Sequence, residues 1–208
     1  MGVRDQTVEG FLAAVAAATP TPGGGSVSAL VGALSVALSR MVAGLARGKE
    51  GYEAVQGDLD RIEARAAPIQ ARLEALVEED SAAYELVLRA MRMPKASDAE
   101  KSVRVETMQA AYREATKVPL ETVERCVEAL ELAQAAVETG NRGASTDAGV
   151  AILLAGAAIR GASLNCRVNL ASIKEESFRG STEQRLEALL RRADEIGHRA
   201  MALVEGRL

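Results

Sequence analysis

A glycine-rich segment near the N-terminus has the residue types that suit a ligand-binding turn. It reads Thr19-Pro-Thr-Pro-Gly-Gly-Gly-Ser26 and runs directly into an apolar stretch. The prolines keep the approach extended, the glycines allow close backbone approach, and serine commonly starts a helix. Because a helix N-terminus gathers unpaired N–H groups and partial positive charge, this turn can face an anionic or carbonyl-rich ligand. The alternative is an ordinary loop before a well-capped helix.

A carboxylate interrupts the apolar face of a long predicted helix. Asp80 follows Leu73 and Leu76 by seven and four residues, so helical geometry places it on their face. Burial raises the pKa of such a carboxyl toward the range that general acid or base catalysis requires. The alternative is a structural aspartate bonded to a neighbouring helix end or to an arginine.

Polar residues also mark both ends of a second apolar stretch. Asn165 and Asn169 are four residues apart and share a helix face, where amides need either another helix or a bound heterocycle as partner. Asp147 begins the stretch and either caps the helix or belongs to the site. Its separation from Asn165 corresponds to about 27 Å of helix. One site containing both therefore requires an elongated ligand or a second subunit.

Composition excludes several other chemistries. A net charge of −4 and 2% aromatic residues argue against a nucleic-acid partner. The sequence shows no metal motif, no nucleophile with a base at recognisable spacing and no phosphate-binding lysine motif. Cys126 and Cys166 are predicted to be packing residues, and His198 to lie on the surface. The isolated cysteines and the absence of a secretory leader favour a cytoplasmic protein.

The helical period dominates the chain, which predicts an all-α fold in one domain covering residues 1–208. We expect a bundle of long, mostly antiparallel helices around two buried helices rich in small residues. A capping box is expected at Ser97 and another at Ser181, while Pro119 is expected to separate two helices. The predicted helices are 5–17, 26–46, 52–91 with a kink at Pro68, 98–118, 119–139, 145–173 and 181–205.

Two charge-free runs, 27–39 and 148–159, are apolar nearly all round. Both are shorter than the roughly 20 residues needed to cross a bilayer, so no membrane span is expected. Helices of this kind are buried on most faces, and a second copy of the chain would supply the cover.

Taken in order along the chain, these segments resemble the cyclodeaminase/cyclohydrolase family of folate enzymes. That family includes the C-terminal half of formiminotransferase-cyclodeaminase and stand-alone methenyltetrahydrofolate cyclohydrolases. The segments that carry the resemblance are the glycine-rich turn and its continuation to Leu30, Glu79-Asp-Ser-Ala-Ala-Tyr84 ending near Pro94-Lys95, Val118-Pro-Leu120, Thr146-Asp-Ala-Gly-Val-Ala151, Gly161-Ala-Ser-Leu-Asn165 and Asn169-Leu170.

The resemblance implies an all-helical homodimer that binds a tetrahydrofolate derivative as substrate near the subunit interface, with no permanently bound cofactor and no metal. Asp80, and second Asp147, are the expected proton-transfer residues. Asn165 and Asn169 would contact the pterin or a carbonyl, and Lys95 or Lys174 the glutamyl carboxylates. The full set of expected substrate-binding residues is Pro22, Gly23, Gly24, Gly25, Ser26, Tyr84, Lys95, Asn141, Asn165, Asn169 and Lys174.

Two reactions are consistent with the resemblance. A cyclodeaminase closes the ring of formiminotetrahydrofolate and releases ammonia, whereas a cyclohydrolase opens the ring of methenyltetrahydrofolate with water. The formiminotransferase half is absent from this sequence, so a deaminase would depend on a separate formiminotransferase partner. Tyr84 lies where an aromatic residue, often Phe, is expected, which is a mild change, and Cys166 and Arg167 lie where apolar residues are more usual. The alternative is a non-catalytic folate-binding or scaffold protein of the same fold.

Overall fold

A computed structural model describes residues 6–208 and confirms the all-α prediction, with no strand in that range. Short 3₁₀ turns at Glu53–Val55 and Arg142–Ala144 precede the third and fifth helices. The α-helices are α1 Val8–Ala16, α2 Gly24–Gly44, α3 Gln56–Met91, α4 Asp98–Thr139, α5 Ser145–Leu170 and α6 Glu176–Glu205.

Helices α2 and α5 form the centre of the bundle and pack against each other, as the small-residue pattern predicts. Gly32 of α2 faces Cys126 of α4 so closely that a methyl group at Gly32 would lie 2.5 Å from the Cys126 Sγ atom. A methyl group at Gly161 of α5 would lie 2.5 Å from the Ser28 Oγ atom of α2. Small residues thus let the helix axes approach closely, and the core is built mainly from Ala, Val, Leu and Ile.

The prediction that Pro119 separates two helices is wrong, because α4 runs through it without interruption. Proline has no N–H group, so the carbonyl of Ala115 one turn earlier loses its helical donor. The side-chain Nδ2 of Asn169 on α5 donates to that carbonyl at 2.7 Å. A partner from another helix therefore replaces the missing bond, and the helix continues. Pro68 likewise lies inside α3, which continues to Met91.

The capping box at Ser97 is confirmed, but the one expected at Ser181 is wrong. Helix α6 already begins at Glu176 and continues through Gly180. A glycine inside a helix costs about 1 kcal/mol relative to alanine. Packing of the partly buried Phe178 and the buried Thr182 against the bundle offsets this cost.

By length and composition alone, α2 and the segment from Arg142 to Leu170 are apolar enough to cross a membrane. In the fold, half of each apolar window is buried inside the protein, and the two helices pack on each other. Core helices of soluble proteins meet the same criterion. The absence of a membrane span therefore stays a prediction.

Candidate functional site

Asp80 of α3 meets the N-terminus of α2. Its Oδ2 atom accepts a hydrogen bond from the Ser26 backbone N–H at 2.9 Å and another from the Ser26 hydroxyl at 3.0 Å. Gly23 is the N-cap of α2, so Ser26 lies in the first turn, whose N–H groups have no acceptor inside the helix. Ser26 was expected to start the helix, and the structure instead makes it the donor that holds the carboxylate.

Gly25 makes this approach sterically feasible. A methyl group at Gly25 would lie 2.0 Å from the Oδ1 atom of Asp80 and 2.7 Å from its Oδ2 atom. Heavy atoms that are not bonded to each other cannot approach so closely, so any side chain at Gly25 would displace the carboxylate. The glycine run thus seats an acidic residue of the same chain at the start of α2.

The environment of Asp80 shifts its proton affinity. Burial raises the pKa of this carboxyl above its ordinary value, while the two bonds from Ser26 partly oppose the rise. The interior favours the neutral form because it solvates charge poorly. Both protonation states therefore come closer to being accessible at neutral pH, which suits an acid or base that must change state during turnover.

Asp80 stands at the border between core and surface. Val77, one turn earlier, is buried, whereas the Tyr84 side chain, one turn later, is 39% exposed. The apolar face expected to surround Asp80 therefore opens toward solvent on its Tyr84 side. Asp80 itself is half-buried, so its carboxyl loses part of its hydration without being sealed in the core.

Ser81 completes the hydroxyl groups around Asp80 and was not identified as a site residue from the sequence. Its Oγ atom lies 3.2 Å from the Oγ atom of Ser26. The only sequence signal is its position beside the acid, and adjacent helical residues normally point in different directions. Only the packing of α2 on α3 brings the two hydroxyl groups together.

The two asparagines have different surroundings. Asn165 lies beside the glycine turn, because a methyl group at Gly24 would sit 3.5 Å from its Nδ2 atom. That Nδ2 atom donates to the Gly161 carbonyl of its own helix at 2.9 Å. Asn169 instead bonds the α4 carbonyl that Pro119 leaves free. Helix packing, the alternative to a ligand contact, thus accounts for the donor of Asn169, and a substrate role for either amide stays a prediction.

Asp147 lies at the other end of the central helix pair. The Ser35 hydroxyl donates to the Ala151 carbonyl at 2.8 Å, so the first turns of α5 lie beside the C-terminal half of α2. Gly24, at the start of α2, lies beside Asn165 near the end of α5. The two helices are therefore antiparallel. At 1.5 Å per residue, Asp147 and Asp80 are separated by about 20 Å along the pair.

Asn141 also belongs to this second end. Its Nδ2 atom donates to the Leu45 carbonyl at 3.0 Å, and its Oδ1 atom accepts the Gly143 N–H at 2.9 Å. Both polar atoms are thus used to fasten the α4–α5 loop to the end of α2. Asn141 therefore lies at the end of the helix pair opposite to Asp80, and a substrate-binding role for it stays a prediction.

The two lysines lie on connecting segments. Lys95 is exposed in the turn between α3 and α4, and Lys174 is exposed between α5 and α6. The Lys174 backbone N–H donates to the Gln109 Oε1 atom at 2.7 Å, while the Gln109 Nε2 atom donates to the Ser172 carbonyl at 2.9 Å. Gln109 therefore fixes the backbone at Lys174, and the Lys174 side chain extends from this fixed segment.

The other candidate reactive side chains are the two cysteines and the histidine. Cys126 and Cys166 are buried free thiols, and burial raises the pKa of each to about 12, which keeps them protonated and fits the packing role predicted for them. His198 is exposed, as predicted. It lines a cleft of about 510 Å³ between α5 and α6 that does not include Asp80. Within residues 6–208, no three His, Cys, Asp or Glu side chains are grouped to hold a metal ion.

Comparison with known proteins gives consistent relatives over nearly the whole chain. A family model described as formiminotransferase-cyclodeaminase matches residues 7–188. A methenyltetrahydrofolate cyclohydrolase of Methylorubrum extorquens is 35% identical over 204 residues, covering 98% of both chains. The formimidoyltransferase-cyclodeaminase of Mus musculus is 30% identical over 91% of this chain but only 35% of its own length.

A solved structure shows the same architecture. The crystal structure of formiminotetrahydrofolate cyclodeaminase from Thermotoga maritima superposes with a TM-score of 0.88 at 30% identity, covering 98% of both chains. The likeness therefore extends over nearly the whole helical bundle.

Proposed function

Because the chain belongs to the formiminotransferase-cyclodeaminase family, we propose that it is a folate one-carbon enzyme that hydrolyses 5,10-methenyltetrahydrofolate to 10-formyltetrahydrofolate. The support from comparison is the cyclohydrolase of Methylorubrum extorquens, which this chain matches almost end to end. The observation that carries the proposal is Asp80, a partly desolvated carboxyl held at a helix N-terminus by Ser26. A non-catalytic scaffold is the weaker interpretation, because the named relatives are enzymes.

Hydrolysis needs one group that first accepts and then returns a proton. The Asp80 carboxylate accepts a proton from water as the water oxygen bonds to the cationic methenyl carbon. The resulting adduct collapses when the bond from that carbon to N5 breaks and the Asp80 carboxyl protonates N5. The hydroxyl of the adduct releases its proton to solvent and becomes the formyl carbonyl. The sum is one water consumed and one proton released.

Cyclodeamination is the second candidate, favoured by the Thermotoga maritima structure. In that reaction N10 bonds to the carbon of the protonated formimino group, N5–CH=NH2+, and passes its proton through the Asp80 carboxylate to the departing NH2 nitrogen. The bond from the carbon to that nitrogen breaks, so that ammonia leaves and the methenyl cation remains. The same Asp80 carboxyl would act as the acid. Its raised pKa suits this role as well, because more of the protonated form is present near neutrality. A separate formiminotransferase is the partner that this activity would use.

Substrate contacts follow from the position of the glycine turn. We assign the N–H groups of Gly24 and Gly25, which have no acceptor within α2, to carbonyl or anionic groups of the folate. The free Oδ1 atom of Asn165 lies beside them and is assigned to an N–H edge of the pterin. Lys95, between α3 and α4, and Lys174, between α5 and α6, are assigned to the glutamyl carboxylates.

A homodimer in the cytoplasm is part of the proposal. Helix α1 has no buried residue, and large apolar side chains of α2 and α5 are exposed in the single chain. Such patches mark protein contacts. A second copy would cover Val8, Leu12, Leu34, Met41, Leu153, Leu164 and Val168. Light scattering coupled to size exclusion would give twice the 21.8 kDa chain mass, and a stable monomer would contradict this part.

The activity is tested by following the absorbance of methenyltetrahydrofolate with the purified protein. A cyclohydrolase accelerates its loss, and a cyclodeaminase produces it from formiminotetrahydrofolate with release of ammonia. A protein that binds folate but changes neither signal would refute the proposed function. The Asp80→Asn variant serves as the matched inactive control, since it keeps the size of the side chain.

A further inference from the structure

We propose that Ser26, supported by Ser81, is a positioning residue that reserves the Oδ1 atom of Asp80 for proton transfer. This inference rests on the proposed function, because it assumes that Asp80 is the acid or base. It assigns unequal roles to the two carboxylate oxygens and gives Ser81 a function.

The hydrogen bonds among Ser81, Ser26 and Asp80 have a defined direction. An ionised carboxylate only accepts, so the Ser26 hydroxyl donates its single hydrogen to the Asp80 Oδ2 atom. That hydrogen is then unavailable to Ser81, so the 3.2 Å contact between the two hydroxyl groups must be donated by Ser81. Ser81, Ser26 and Asp80 therefore form a chain in which every bond points toward Oδ2.

The Oδ2 atom of Asp80 already accepts two hydrogen bonds. With the Ser26 N–H and hydroxyl both directed at Oδ2, a proton on the same oxygen would face two donor hydrogens. The added proton therefore resides on Oδ1, the oxygen that lies against the bare backbone of Gly25. Any residue larger than glycine there would fill the space in front of Oδ1.

Ser26 opposes the effect of burial on Asp80. Burial raises the pKa of this carboxyl, and the side-chain and backbone hydrogen bonds from Ser26 lower it. Glu79 of the same helix pairs with Arg72. The Ser26 hydroxyl is therefore the side-chain group that acts on the carboxyl and that a substitution can remove.

The experiment compares Ser26→Ala, Ser81→Ala and Ser26→Thr in the full chain. The carboxyl of Asp80 is titrated by ¹³C NMR in each variant, and kcat and KM are measured against pH. Loss of the Ser26 hydroxyl should raise the pKa of Asp80 further, which moves the acidic limb of the kcat profile to higher pH. It should also lower kcat about tenfold, with little change in KM. Ser81→Ala should give a smaller shift of the same sign, and Ser26→Thr should restore the wild-type profile.

Ser39→Ala is the matched control. Ser39 is a buried serine of the same helix whose hydroxyl bonds the Ser35 carbonyl and not Asp80, so its removal should leave the titration unchanged. Equal titrations of Asp80 in Ser26→Ala and the wild type would overturn the inference, as would a shift that Ser39→Ala reproduces. Full activity of Asp80→Asn would instead overturn the proposed function, which keeps the two failures distinct.

Discussion

The two ends of the α2–α5 pair carry similar residues but differ in what the fold does with them. At one end Asp80 arrives from a different helix, loses part of its hydration and meets the first turn of α2. At the other end Asp147 belongs to the first turn of its own helix α5, where an acidic residue is favoured by the helix dipole. A carboxylate imported by tertiary packing has a shifted proton affinity. The position of Asp147, by contrast, is explained by the start of its own helix.

The connecting segments differ in the same sense. In the first turn of α2 the Ser26 backbone N–H donates to a side chain of α3, whereas Asn141 uses both of its polar atoms to fasten the loop before α5. We therefore propose that the first end serves chemistry and the second serves stability. The predictions below test this distinction, beginning with the largest expected effect.

Replacing the carboxyl of the first end should have the largest effect. Asp80→Asn removes the group that accepts and returns the proton while keeping its size, so turnover should fall by about 10²–10⁴-fold. The loss should appear in kcat in the absorbance assay, with circular dichroism and folate binding unchanged. A variant that is folded, binds folate and retains wild-type turnover contradicts the assignment of Asp80.

Filling the space at Gly25 should have the next largest effect. A methyl group there would lie 2.0 Å from the Asp80 Oδ1 atom and must displace the carboxyl, and a displacement of about 1 Å can cost about 100-fold in rate. Steady-state kinetics of Gly25→Ala measure this loss. The control is Gly57→Ala in α3, where an added methyl group meets nothing within 4 Å and activity should be retained. Equal activity of the two variants would show that the close approach has no catalytic importance.

Replacing the acid of the second end should cost less. Asp147→Asn is expected to lower turnover by less than about tenfold, since the residue lies about 20 Å from Asp80 along the helix pair. A loss as large as that of Asp80→Asn would mean that two subunits build one site from opposite ends. In that case, mixing the two inactive variants would recover activity through dimers that contain one intact site.

The smallest effect is a change in stability with pH. Burial raises the pKa of Asp80 in the folded protein, so the folded state binds more protons than the unfolded state between the two pKa values. Stability from this residue therefore falls as pH rises from about 4, the unfolded value, through the raised folded value. Asp80→Asn removes that cost, and its melting temperature relative to wild type should increase over this range. A difference that stays constant with pH would show that the carboxyl is not desolvated.

Local patterns predicted the helices better than they predicted the contacts between them. The apolar spacing around Asp80 and the small residues of α2 and α5 follow from helical period, so the helices and the unusual acid could be inferred from sequence. A bond from Asp80 to a neighbouring helix end was only one of two structural alternatives, and Ser26 could not be named as the partner, because the pairing depends on how α3 packs on α2. Pro119 was misinterpreted for the same reason, since the bond that keeps α4 intact comes from Asn169, 50 residues later in the chain.

The most direct test of the account is the pH dependence of kcat/KM for methenyltetrahydrofolate hydrolysis in the wild type and in Asp80→Asn. The account predicts an acidic limb in the wild type at the pKa that NMR measures for the Asp80 carboxyl, and the loss of this limb in the variant's residual activity. A limb that persists at the same pH in Asp80→Asn would contradict the central claim, because another group would then carry the proton.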